Sequence, residues 1–134
     1  LARVKGVVDF NQSLALQAGA ITALDEFPQW PRQLCDRYRQ RRDRMAALLT
    51  AHGWNVPQSG MALYQWLPLP EVLRDLGSEA AAQWLLQNSG VALTPGVGFG
   101  PSGEGWLRLA LVADEPVLEQ ASARLRFALE QRKI

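Results

Sequence analysis

The chain has 134 residues, 48% of them hydrophobic and 20% charged, with a formal net charge of +1. That length fits one ordinary domain, and the balance is that of a globular chain rather than a disordered one. The charge argues neither for nor against a polyanionic partner, no apolar run approaches the roughly 20 residues of a membrane-crossing helix, and no signal-peptide pattern opens the chain.

The first ten residues, to Phe10, read as the end of one element and a loop. The chain starts without Met and in mid-pattern (LARVKG), which predicts a fragment. Asn11 or Ser13 is placed to cap a helix running through Asp25. Leu14, Ala18, Ile21 and Ala23–Leu24 give that helix an apolar stripe, and its many small residues would let a neighbour pack closely. Such packing needs more protein than this chain supplies. Pro28 and Pro31 break the helix and start another from about Pro31 to His52, ended by Gly53. Leu34, Tyr38, Met45, Leu48 and Leu49 are its expected apolar positions. Its arginines (32, 37, 39, 41, 42 and 44), set against Asp36 and Asp43, read as a solvated, partly self-paired face. No groove-reading motif accompanies them, so no nucleic-acid partner is expected.

Trp54–Val56 reads as a short strand and Pro57–Gly60 as turn chemistry. Met61–Leu67 is a second strand. Its alternation sets Ala62, Tyr64 and Trp66 on one face and Met61, Leu63, Gln65 and Leu67 on the other. Glu71–Leu76 reads as a helical turn, and Ser78 as the cap of a helix to about Asn88 that ends at Gly90. Val91–Thr94 and Trp106–Val112 are two further strands around a glycine-rich crossing, Pro95–Gly105. Asp114 reads as the cap of a last helix to about Arg132, with Val117, Ala121, Leu125 and Ala128–Leu129 inward. Strand pairs close in sequence predict an α+β fold, a small, largely antiparallel sheet covered by helices.

Chemistry concentrates in VALTPGVGFGPSGEGWLRLALV, residues 91–112. Leu107, Leu109 and Leu111 share one face of the last strand; Trp106, Arg108 and Ala110 share the other. A guanidinium amid leucines loses solvation at a cost of several kcal/mol, which a bidentate carboxylate offsets best. Either a side chain of the protein or a bound ligand supplies that carboxylate. The run GVGFG lacks a GK[ST] ending and leads into a strand, so it is not a phosphate loop, and a flexible loop over a cleft is the simpler reading. His52 reads as a helix-end residue. The tryptophans read as core fillers, with Trp106 a candidate pocket wall beside Arg108. The single Cys35 closes no internal disulfide, no Cys/His cluster suggests zinc, and HExxH and GxSxG are absent. A reducing cytoplasm is the compartment that fits. The residues taken alone offer an anion receptor without nucleophile, base or metal site.

The same residues resemble a known family. Gly90–Val91, Pro95–Gly96, Phe99–Gly100, Gly103, Gly105 and Arg108 follow the GVxxxPGxxFGxxGxGxxR signature of class I/II aminotransferases, fold-type I enzymes that use pyridoxal 5′-phosphate. SLALQAGAITAL, YRQRRDRMAALLTAHG and PQSGMALYQWLPLP resemble three more of the family's motifs in the same order. The resemblance implies that Arg108 binds the substrate's α-carboxylate and that the cofactor acts as the electron sink. It further implies amino-acid and 2-oxo-acid substrates and a homodimer. The lysines here, Lys5 and Lys133, both lack the S-K-x-x-x-x-x-G-x-R context of the family's Schiff-base lysine. The expectation is therefore a C-terminal fragment, inactive alone. Residues 1–27 would be the tail of a large cofactor-binding domain. Residues 28–134 would be a small mobile domain entered through a long interdomain helix. The alternatives are an aminotransferase-like effector domain of a transcription regulator, which a winged-helix region upstream would favour, and a non-catalytic binding module with Arg108 paired internally.

Overall fold

A computed structural model describes residues 2–8, 12–60 and 63–132. Expectations placed on Leu1, Phe10, Asn11, Met61, Ala62 and Lys133 lie outside the described residues. The chain forms two compact units, residues 1–35 and 36–134.

The first unit holds α1 (Ala2–Val8), α2 (Leu14–Glu26) and the start of α3 (Trp30–Ala51). Neither α1 nor α2 has a buried residue. The apolar stripe expected of α2 is present, but Leu14, Ile21 and Leu24 are all exposed. Ser13 precedes α2 without a side-chain capping bond.

The second unit begins within α3 and contains β1 (Tyr64–Pro68), α4 (Gly77–Ser89), β2 (Thr94–Pro95), β3 (Trp106–Ala110) and α5 (Glu115–Arg132). Glu71–Leu76, Gly96–Phe99 and Pro101–Gly103 are 3-10 turns. The strands form an antiparallel sheet in the order β1-β3-β2. β3 is central, with Trp66 and Thr94 both opposite Arg108. The α+β expectation holds: helices cover one face of a small antiparallel sheet. Gln65, Leu67, Leu107, Leu109 and Leu111 point into a core shared with Met45 and Leu49 of α3, Leu85 of α4, and Leu118, Leu125 and Leu129 of α5.

Three strands stand where four segments were expected. Trp54–Val56 is irregular: the Trp54 ring is buried, its indole N–H donates to the Pro68 carbonyl at 2.7 Å, and the segment serves as an anchor rather than a ladder. β2 starts at Thr94, not Val91, because the Val91 N–H turns back to the Ser89 hydroxyl at 3.2 Å. In α5 the inward positions include Leu118 and Ser122, while Val117 is exposed. The stripe is set one residue later than the expected Val117–Ala121 pair.

Candidate functional site

Alternation along β3 sends Arg108 to the sheet face opposite the leucines. The expectation of a guanidinium amid leucines is corrected here: its surroundings are aromatic. Its Cζ lies 4.2 Å from the Tyr64 ring centroid and 4.4 Å from that of Phe99. Both distances are well inside the range of cation–π attraction, each contact contributing on the order of 0.5–2 kcal/mol according to desolvation. Trp66 meets Phe99 edge-on with centroids 5.4 Å apart. The Arg108 Nε is buried without a hydrogen-bond partner. Among the described residues, no carboxylate pairs with this guanidinium.

Phe99, over whose ring the guanidinium lies, also lines a recess of about 370 Å³ together with Trp66, Ser102, Gly103 and Trp106. Trp106 thus lines a pocket, as its place beside Arg108 allows. The expectation that the tryptophans fill cores holds for Trp54 and in part for Trp84, which packs half-buried against the core, whereas Trp30 and Trp66 are exposed and Trp106 is half-buried.

The loop that carries Phe99 is built, not slack. Gly96 and Gly103 press backbone to backbone: a Cβ on Gly96 would fall 2.1 Å from the Gly103 carbonyl oxygen, and one on Gly103 would fall 2.0 Å from that of Gly96. The flexible loop expected here is instead pinned where chain crosses chain, the close approach that only glycine allows. Glu104 then ties the loop to the start of α4. Its carboxylate accepts from the Ser78 N–H at 2.6 Å, the Ser78 hydroxyl at 3.0 Å and the Gly105 N–H at 3.0 Å. These bonds, the Ser78 N–H foremost, hold the Glu104 carboxyl below the usual carboxylate range. The expected cap, Ser78, lies inside α4, and Glu104 from a distant loop satisfies the exposed donor in its place.

Sequence reasoning missed Arg41. It was placed on a solvated helix face, yet it is 8% exposed. Its Nη1 donates to the carbonyls of Leu111 (3.3 Å) and Val112 (3.0 Å), and its Nη2 pairs with Asp114 at 2.5 Å. Asp114, expected to cap α5 through its side chain, spends that carboxylate on Arg41, and its backbone carbonyl receives the Val117 and Leu118 N–H groups. The signal was available: Arg41, Met45 and Leu49 are spaced by four, the inward stripe of α3. The helix is partly self-paired, Arg39 with Asp36 and Arg42 with Asp43, while Arg44 reaches across to Glu119 of α5.

The sequence profile of the family described as aminotransferase class I and II matches residues 1–125. The chain belongs to the class I and II aminotransferase family. It is 35% identical over 131 residues to an LL-diaminopimelate aminotransferase of Desulforudis audaxviator, matching 96% of this chain and 32% of that protein. It is also 35% identical to the glutamate-pyruvate aminotransferase AlaC of Escherichia coli, over 90% of this chain and 29% of that protein. A tetra mutant of Thermus thermophilus aspartate aminotransferase superposes with a TM-score of 0.84 at 25% identity, over 95% of this chain and 34% of that one. This aminotransferase chain therefore spans about a third of the length of such relatives.

The family implies pyridoxal 5′-phosphate. Lys5 sits in α1, where no residue is buried, and Lys133 lies outside the described residues. No cluster of three metal-ligating side chains occurs among the described residues, and none of their helices is long and apolar enough to cross a membrane. These residues do not fit the cofactor's lysine attachment.

Proposed function

We propose that this chain is the C-terminal part of a pyridoxal-phosphate-dependent amino-acid aminotransferase, in which Arg108 binds the α-carboxylate of amino-acid and 2-oxo-acid substrates. One observation carries the assignment. The guanidinium lies over two rings, no acidic side chain among the described residues pairs with it, and one of those rings, Phe99, lines an open recess. A carboxylate meeting that edge makes two parallel charge-assisted hydrogen bonds, which fix both position and orientation. Electron-sink chemistry is supplied by the cofactor when bound.

In this reading residues 1–27 are the tail of the large domain and residues 28–134 the small domain, with α3 as the interdomain helix. The exposed apolar residues of α1 and α2 support the first part, since such residues call for cover from further protein. The parent is a cytoplasmic homodimer whose small domain closes over substrate, and the fragment alone is inactive.

Steady-state kinetics of the full-length parent test the reading. Arg108→Ala is expected to raise the KM for the amino donor about 100-fold, the equivalent of about 3 kcal/mol for a lost bidentate pair, with cofactor content unchanged. Arg108→Lys recovers only part of that, because an ammonium lacks the planar fork. An unchanged KM in Arg108→Ala contradicts the assignment.

A further inference from the structure

We propose that Tyr64 and Phe99 are positioning residues for Arg108, an aromatic clamp that orients the guanidinium while leaving its hydrogen-bond donors to the substrate. The inference rests on the reading of Arg108 as the carboxylate anchor and adds the part of the site that makes it an anchor.

Two arginines of the second unit show the contrast. Arg41 is held by a carboxylate and two carbonyls that accept from its Nη atoms, while its Nε is buried without a partner. Arg108 has no such carboxylate among the described residues: its Cζ stands over two rings at 4.2 and 4.4 Å, and its Nε is buried and unbonded. Guanidinium N–H bonds lie in the plane of the group, and a ring stacked on its face takes none of them. Rings packed against the guanidinium thus limit its freedom and its hydration without supplying an acceptor to its fork. An incoming carboxylate then meets a receptor that is already ordered.

The two rings are anchored independently. Tyr64 belongs to β1, in register with Ala110 of β3. Phe99 ends the 3-10 turn Gly96–Phe99, which is set by the Gly96–Gly103 backbone contact. Neither ring is core: Phe99 is 50% and Tyr64 36% exposed. Two half-exposed aromatics kept against one cation serve that cation rather than the packing of the unit.

The test is a double-mutant cycle in the full-length parent, read as KM and kcat for the amino donor and as inhibition by a simple monocarboxylate, propanoate. Phe99→Leu and Tyr64→Leu are each expected to raise KM and the propanoate inhibition constant about tenfold, with kcat within twofold and the melting temperature near that of the parent. Tyr64→Phe, which retains the ring, recovers at least half of the lost affinity. In an Arg108→Ala background Phe99→Leu adds nothing, because the residue it positions is gone. A rise in KM for Arg108→Ala with none for Phe99→Leu or Tyr64→Leu overturns the clamp and leaves the anchor standing. The same tenfold rise from Phe99→Leu in both backgrounds also overturns the clamp, since the ring would then touch substrate by itself. No rise for Arg108→Ala overturns the anchor and the clamp together.

Discussion

Arg41 and Arg108 carry the same side chain and divide the labour of the second unit. Arg41 ties α3 to the chain leaving β3; Arg108 faces outward among rings. Arg41→Ala is expected to lower the unfolding free energy by about 2 kcal/mol, since two carbonyls lose a charged donor. Asp114→Asn is expected to cost under about 1 kcal/mol, because the carboxylate is 85% exposed and its pairing is screened by water. Urea denaturation of both variants checks the order; equal losses would contradict it. The strand face of Arg108 was legible from two-residue alternation. Its aromatic company was not, because Tyr64 and Phe99 come from parts of the chain that only tertiary pairing brings together. Arg41 was misread for the opposite reason: its charge outweighed its spacing. The long side chain reached acceptors across the core edge that no local pattern displays.

At the scale of elements, the loop from Pro95 to Gly105 decides where Phe99 stands. Gly96→Ala and Gly103→Ala are expected to destabilise by about 3 kcal/mol or more, since each new Cβ meets backbone that cannot swing away. Gly98→Ala, with nothing within 4 Å of the added carbon, is expected to stay within about 0.5 kcal/mol of the parent. Thermal unfolding of the pair separates a structural crossing from a loop whose glycines only confer flexibility. Glu104 adds a pH signature. Its carboxyl is held in the folded state below its unfolded value by the Ser78 and Gly105 N–H bonds. The stabilisation it confers is therefore complete above that value and is lost as pH falls through the folded pKa. The melting temperature of Glu104→Gln relative to the parent is expected to show its deficit at pH 6 and lose it in the acid limb. A deficit that persists undiminished at low pH would contradict the assignment. Glycine spacing told that the loop is special, but not that its glycines face each other. The Glu104–Ser78 staple spans 26 residues, and nothing local in the sequence pairs them.

Across the whole molecule, the α+β architecture and most element limits followed from period, caps and turn residues. α3 ends where Gly53 takes a positive φ, and α4 closes on the left-handed Gly90. Trp54–Val56 failed as a strand because an apolar triplet serves equally as an anchor, and only the fold chooses between them. The family resemblance rested on four motifs in one order, and the match over residues 1–125 places the chain in that family. The functional account reduces to one claim, that the Arg108 guanidinium receives a carboxylate from substrate. The most direct measurement compares kcat/KM for an amino acid and for the amine that lacks its α-carboxylate, in the full-length parent and in Arg108→Ala. The account predicts a preference for the amino acid of about 100-fold or more in the parent that collapses to a few-fold in the variant, the signature of a coupled pair. An undiminished preference in Arg108→Ala would place the carboxylate on another residue and contradict the account.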